Sequence, residues 1–327
     1  MDFQLGNEPN SFKHVFNETV SGEQLGHDFD SLRELLTKFH KFKGSKLVGP
    51  DVTRPKRLSE SSISYLRDFL GNTFNLSAVS WHQYYFNGRN ATIDEFLDPR
   101  VFDLLEKQIQ AVSEVTREFS SDLPIWLTET SSAYGGGAPG LSNRFVATFL
   151  WLDKLGLAAK MGLKVIVRQT FYRGYYSLID DDLHPSPDYW ISLVHKRLVG
   201  RKVLRVKFSR KSKEKHLRLY CHCLKKITNA TGGVVLFGMN LSNSSEYIIP
   251  GGITSRFPFT SLIFTAEDGN LTSRYILLNG RRLEPNDDGT SFIIPTKTML
   301  PLLMPPYSLA FWVFHGKREG TCRKSEM

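Results

Sequence analysis

Two glutamates stand in settings that suit chemistry rather than solvation. Glu8 lies in Leu5-Gly6-Asn7-Glu8-Pro9-Asn10, and Glu129 in Trp126-Leu127-Thr128-Glu129-Thr130-Ser131-Ser132-Ala133-Tyr134, followed by Gly135-Gly136-Gly137. Each ends a short apolar run and opens a turn or a Ser/Gly-rich loop. That reads as the C-terminal end of a strand, where functional groups collect in parallel β/α folds. Two carboxyls held by a rigid scaffold are what glycosidic bond cleavage requires, one to protonate the leaving oxygen and one to meet the developing oxocarbenium ion. A third segment, Trp81-His82-Gln83-Tyr84-Tyr85, ends another such run. Its imidazole and phenol suit hydrogen bonds to sugars and carboxylates, and the Tyr84 hydroxyl can steer Glu129. Trp81 and Tyr85 read as packing.

Other chemistries fit less well. Gly135, Gly137 and Gly140 match a G-x-G-x-x-G spacing, but that dinucleotide fingerprint belongs to a turn opening directly into a helix. Here a glutamate precedes it and Pro139 interrupts it, so it reads as an open loop whose N–H groups can approach an anionic sugar. The nine histidines form no helical i, i+4 pair with an acid between them. In Cys221-His222-Cys223, strand alternation puts the cysteines on one face and the imidazole on the other. Neither a metal nor a cofactor is expected.

The elements that position these groups alternate. Short apolar runs at Phe3–Leu5, Lys46–Gly49, Ala78–Trp81, Ile125–Leu127 and Val165–Val167 read as strands. Helical segments lie between them at Gln24–Phe39, Ser62–Leu70, Val101–Phe119 and Asn143–Met161, with Val101, Leu104, Leu105, Ile109 and Val112 on one helical face. Such alternation predicts an α/β parallel sheet over residues 1–200, doubly wound or closed into a barrel. Glu8 and Glu129 end strands three apart, a spacing at which two carboxylates face each other across the mouth of an eight-stranded barrel. From 201 to 327 the pattern becomes short β stretches, at Leu217–Tyr220, Val234–Phe237, Arg274–Leu278, Ser291–Ile294 and Leu309–Phe314, split by turns such as Asn279-Gly280 and Asp287-Asp288-Gly289. This predicts a C-terminal antiparallel β-sandwich.

Composition narrows the partners. The 327 residues are 41% hydrophobic and carry a net charge of +9, which points to a polyanion. Nucleic acid, an anionic membrane and a sulfated polysaccharide all fit. Ten cations crowd the junction, namely Lys196, Arg197, Arg201, Lys202, Arg205, Lys207, Arg210, Lys211, Lys213 and Lys215. No apolar run approaches the ~20 residues of a membrane helix, and the N-terminus lacks the features of a signal peptide. Asn-x-Ser/Thr sites at Asn17, Asn75, Asn90, Asn229, Asn240, Asn243 and Asn270 nevertheless lean toward secretion.

On these residues the chain resembles the heparanase family, the endo-β-glucuronidases of glycoside hydrolase family 79. The motifs that carry the resemblance are Leu5–Asn10, Gly49-Pro50-Asp51-Val52, Trp81–Tyr85 with Asn87-Gly88-Arg89, Glu129–Pro139, Trp151–Gly156, Pro187-Asp188-Tyr189-Trp190 and, more loosely, Leu217–Cys223. The resemblance implies a (β/α)8 TIM-type barrel with a β-sandwich, and retaining hydrolysis of heparan sulfate with carboxyls roughly 5–5.5 Å apart. Glu8 matches the proton donor and Glu129 the nucleophile. Asn7, His82, Tyr84, Tyr134, Gly135, Gly136, Gln169 and Tyr176 match the sugar site, and Lys56, Arg57 and Arg89 the sulfate-binding rim. Cys223 and Cys322 match the family disulfide, with Cys221 extra. The implied partners are heparan sulfate, heparin and their proteoglycans, with a separate N-terminal light chain and no nucleic acid. The implied location is the extracellular matrix and the lysosome, including the membrane periphery. The implied barrel is partial: three βα units, at about 30 residues each, are expected ahead of the Glu8 strand. A noncatalytic heparan-sulfate-binding protein, or an inactive shortened form, is the competing expectation.

Overall fold

The alternation of apolar runs produces parallel strands with helices between them. In this computed structural model the described residues are 2–55, 61–209, 215–225, 233–251, 259–285, 300–315 and 322. In chain order the elements are α1 (Phe12–Phe16), α2 (Gly22–Thr37), β1 (Val48–Val52), α3 (Ser61–Gly71), β2 (Ala78–Gln83), β3 (Phe86–Asn87), α4 (Ile93–Leu97), α5 (Pro99–Phe119), β4 (Ile125–Thr130), β5 (Ala133–Tyr134), α6 (Ala147–Lys160), β6 (Val165–Arg168) and α7 (Pro187–Leu198). Strands follow as β7 (Val199–Leu204), β8 (Leu217–Leu224), β9 (Gly233–Asn240), β10 (Glu246–Ile248), β11 (Phe259–Ala266), β12 (Ile276–Leu278), β13 (Arg281–Arg282), β14 (Leu302–Met304) and β15 (Ser308–His315). The expected strand at Ser291–Ile294 and turn at Asp287-Asp288-Gly289 lie outside the described residues. Contacts gather the chain into two units, Met1–Tyr85 with Asp103–Ser131 and Met161–Gln169, and Phe86–Phe102 with Ser132–Lys160 and Thr170–Met327.

The first unit holds a parallel sheet in the order β1-β2-β4-β6, and Phe3 bridges in parallel to Leu47 beside β1. Every residue of β1 and β2 is buried, as expected of strands covered on both faces. Yet their C-terminal halves bury Asp51, Ser80, His82 and Gln83, polar groups that only partners can stabilise there. The register breaks at that same end in each pairing, between Pro50 and Val52, between Trp81 and His82, and between Leu127 and Thr130. Such irregularities re-aim side chains. Helix α2 starts on Ser21, whose hydroxyl accepts from the Gln24 N–H, and it packs closely on α3. A Cβ at Gly22 would lie 2.7 Å from backbone atoms of Tyr65 and Phe69, and one at Gly26 2.6 Å from the Asn72 carbonyl. Phe29 then meets Phe69 edge to face at 5.0 Å. In α5 the buried stripe is Phe102, Leu105, Ile109 and Val112. Val101 and Leu104 of the expected face are only partly covered.

The second unit is built on an antiparallel sheet of seven strands, ordered β13-β12-β11-β15-β9-β8-β7. One face carries Leu217, Leu236, Phe259, Trp312 and Phe314 against Leu302 and Met304 of the β10–β14 ribbon. The other face meets α6 and α7. Tyr220 lies over Gly156, where a Cβ would fall 2.2 Å from the ring, and His195 meets the Phe237 ring edge on. Asp153, fully buried in α6, accepts from Arg218 Nε at 2.6 Å and from the Tyr220 hydroxyl at 2.5 Å. Cys223 and Cys322 form a disulfide across 99 residues. The expected strand at Phe3–Leu5 is reduced to the single bridge of Phe3 to Leu47, and among the additions to the elements read from sequence are strand β11 and helix α7. One expectation fails here, because Asn240 is fully buried, with its amide donating to the Ser244 and Pro305 carbonyls. A glycan cannot reach it, whereas Asn17, Asn75, Asn90, Asn243 and Asn270 are exposed; Asn229 lies outside the described residues.

Candidate active site

The carboxylates converge on one imidazole. Glu8 precedes a 3-10 turn, Pro9–Ser11, with φ 49° and ψ 52°, and its N–H donates to the Asp51 carbonyl at 3.1 Å. Asp51 also holds a positive φ, 57°. Left-handed backbone at two non-glycine residues is costly and persists where surrounding structure imposes it. His82, at the C-terminal end of β2 and buried, has Nδ1 at 3.0 Å from Glu8 Oε1 and 3.8 Å from Glu129 Oε2. Its Nε2 lies 3.6 Å from Asp51 Oδ1. Oxygens of Glu8 and Glu129 lie within 4.8 Å of each other and of the imidazole nitrogen. The Tyr84 hydroxyl donates to Glu129 Oε1 at 2.8 Å, the contact its position in sequence predicts. Both glutamate side chains remain partly exposed, Glu8 by 30% and Glu129 by 26%, so a substrate can reach them.

Charge follows from this geometry. Burial pulls the His82 imidazole down, but the facing Asp51 carboxylate, the hydrogen bond to Glu8 and the charge of Glu129 outweigh it, so its pKa is pushed up to about 9. At neutral pH this favours the doubly protonated imidazolium. The folded value lies above the unfolded value, about 6.5. This clamp stabilises fully below that unfolded value, and the contribution is lost as pH rises toward 9.

The remaining expected residues fall into three groups. Gln169 follows β6 in the same unit, its N–H on the Thr130 carbonyl at 3.0 Å, and Asn7 is exposed beside Glu8. Arg89, Tyr134, Gly135, Gly136 and Tyr176 belong to the second unit. There the β3–β5 pair joins Gly88 N–H to the Tyr134 carbonyl at 2.9 Å, and Tyr175 N–H donates to Gly136 O at 3.2 Å. Gly135 and Gly136 both have positive φ, and no helix opens from this loop. Gly88 is needed where it stands, since a Cβ would lie 2.3 Å from the Gly137 carbonyl oxygen. Lys56 and Arg57 lie outside the described residues. Sequence reasoning missed Asp51, Thr128 and Arg54. Thr128 donates to Asp51 Oδ1, and Arg54 ties down the carbonyls of Tyr84 and Tyr85. Asp51 sits inside a motif read only as a landmark, and nothing local in Gly49-Pro50-Asp51 says that three strands meet there.

Residues 1–156 match the model of the glycosyl hydrolase family 79 N-terminal domain. Over 330 residues the chain is 38% identical to heparanase of Bos taurus, covering 98% of this chain and 60% of that protein. It is 33% identical to hyaluronoglucuronidase of Hirudo nipponia, covering 99% and 66%, and 31% identical to inactive heparanase-2 of Mus musculus, covering 99% and 57%. The chain thus spans about three fifths of the length of the curated heparanases it matches. A xyloglucanase of glycoside hydrolase family 44 from Paenibacillus polymyxa shares the fold, with a TM-score of 0.63 at 13% identity over 97% of this chain and 66% of that one. With a matching domain model and relatives aligned along nearly its whole length, the chain belongs to glycosyl hydrolase family 79.

Proposed function

We propose that the protein is a retaining endo-β-glucuronidase that cleaves heparan sulfate. The observation that carries this reading is the pair of carboxylates, with oxygens within 4.8 Å, on one protonated imidazole. A gap that short favours direct attack by one carboxylate, because inverting enzymes separate theirs by roughly 6.5–9.5 Å to admit a water. Glu129 attacks the anomeric carbon and forms a glycosyl ester, while Glu8 gives its proton to the departing oxygen. Glu8 then takes a proton from water, whose oxygen displaces Glu129. Tyr84 holds the Glu129 carboxylate in line. By resemblance, the family's sugar contacts map onto Asn7, His82, Gln169, Tyr134, Gly135, Gly136 and Tyr176, and its sulfate contacts onto Arg89, Lys56 and Arg57. On this reading the four parallel strands belong to the part of a (β/α)8 barrel that residues 1–200 supply, followed by a β-sandwich over 201–327. The exposed Asn-x-Ser/Thr sites support a secreted or lysosomal location.

The test is depolymerisation of heparan sulfate at mildly acid pH, followed by chain length. The expected result is cleavage that falls about 10²–10⁴-fold in Glu8→Gln and more in Glu129→Gln. Heparin binding without cleavage by the wild-type protein would turn the reading to a noncatalytic binder; one of its relatives is itself named inactive.

A further inference from the structure

Asp51 has no part in the chemistry above, yet three strands use it. It is 3% exposed. Its Oδ1 receives Gln4 Nε2 at 3.0 Å and the Thr128 hydroxyl, and faces His82 Nε2. Its own N–H donates to Ser80 Oγ at 3.0 Å, and its carbonyl receives the Glu8 N–H at 3.1 Å. One residue of β1 thus touches the backbone of Glu8, the side chain beside it on β2, and the neighbour of Glu129 on β4. A buried carboxylate without such partners would be expelled or neutralised.

We propose that Asp51 is a positioning residue, whose buried carboxylate faces Nε2 of His82 and by its charge favours the proton there, which leaves Nδ1 as the imidazole position that answers to Glu8. The groups facing His82 are Asp51 from β1, Glu8 from the turn, and Glu129 from β4 with the Tyr84 phenol behind it. With a proton favoured on Nε2 by the Asp51 carboxylate 3.6 Å away, the 3.0 Å line between Nδ1 and Glu8 Oε1 has two states. A charged His82 donates to an ionised Glu8, and a neutral His82 accepts from a protonated Glu8. These are the states an acid that later acts as a base must occupy, a point that rests on the enzyme reading above. The fixed tautomer follows the general rule that the partner of one ring nitrogen decides what the other can do. The raised pKa of His82 agrees, since Asp51 is the first of the groups that raise it.

The experiment is Asp51→Asn, because asparagine tolerates a positive φ. Ring nitrogen NMR of His82 and the pH profile of kcat/KM are read in the same protein. The expected result is a His82 titration midpoint lower by about one pH unit or more. With it, kcat/KM falls about tenfold at an unchanged KM, and the alkaline limb of the profile moves to lower pH. An unmoved midpoint and an unmoved profile would overturn the proposal. Wild-type protein gives a second reading if the variant does not fold: neutral His82 must keep its proton on Nε2, and an Nδ1–H tautomer contradicts the assignment. The NMR arm needs no turnover. A wild type that cleaves nothing would therefore sink the enzyme reading and leave the Asp51–His82–Glu8 arrangement to be judged by its own signals.

Discussion

At the scale of single residues, His82 and Tyr84 give the two glutamates different surroundings. Glu8 faces an imidazolium, while Glu129 takes a phenol hydrogen bond at 2.8 Å on one oxygen and has the imidazolium 3.8 Å from the other. A hydrogen bond to a charged group contributes about 1.5–3 kcal/mol. Tyr84→Phe is therefore expected to lower kcat/KM about ten- to a hundredfold, with little change in stability because the ring stays in place. A kinetic titration series on both proteins checks this, and equal rates would mean the phenol does not hold the nucleophile. These four residues are legible in sequence because each sits in a distinctive local motif, three of them at the ends of β2 and β4 and Glu8 ahead of the Pro9–Ser11 turn. Asp51 and Thr128 are not, because their roles exist only once the register of three strands breaks at one level.

At the scale of elements, α6 is held to the antiparallel sheet by a buried charge. Asp153 meets Arg218 and Tyr220 in the interior, and Gly156 lets the Tyr220 ring approach. Removing one partner of a buried ion pair costs about 3–5 kcal/mol, because the other charge is left without compensation. Asp153→Ala is expected to lose that much in denaturant unfolding, and a loss below about 1 kcal/mol would mean Arg218 finds water instead. The helices α2, α3, α5 and α6 and the parallel strands are legible in sequence within a few residues, since their apolar periods are regular. Helix α7 is obscured because its last turn, His195-Lys196-Arg197, runs straight into the basic stretch of β7. Its start is marked only by Ser186 and Pro187. The charge signal therefore outweighs the helical one there.

At the scale of the whole molecule, a net charge of +9 and a pair of carboxylates coexist without conflict. The charge attracts a polyanion over distance, while the carboxylates act within a few ångströms, and salt screens the first far more than the second. The family and the mixed α/β character with an antiparallel sheet are legible in short motifs, whereas the grouping of contacts into two units that interleave along the chain is not. That interleaving depends on which loops fold back on which sheet, and no local pattern records it. The central claim is that Glu129 forms a covalent bond to the sugar while Glu8 handles the proton. It is tested most directly by mass spectrometry of peptides after treatment with an activated glucuronide whose leaving group departs without acid help. The Glu8→Gln protein still forms the ester but lacks the base that lets water release it. The account predicts a glycosyl adduct on Glu129 that accumulates in Glu8→Gln and is absent from Glu129→Gln. An adduct on another residue, or the same labelling in Glu129→Gln, would contradict it.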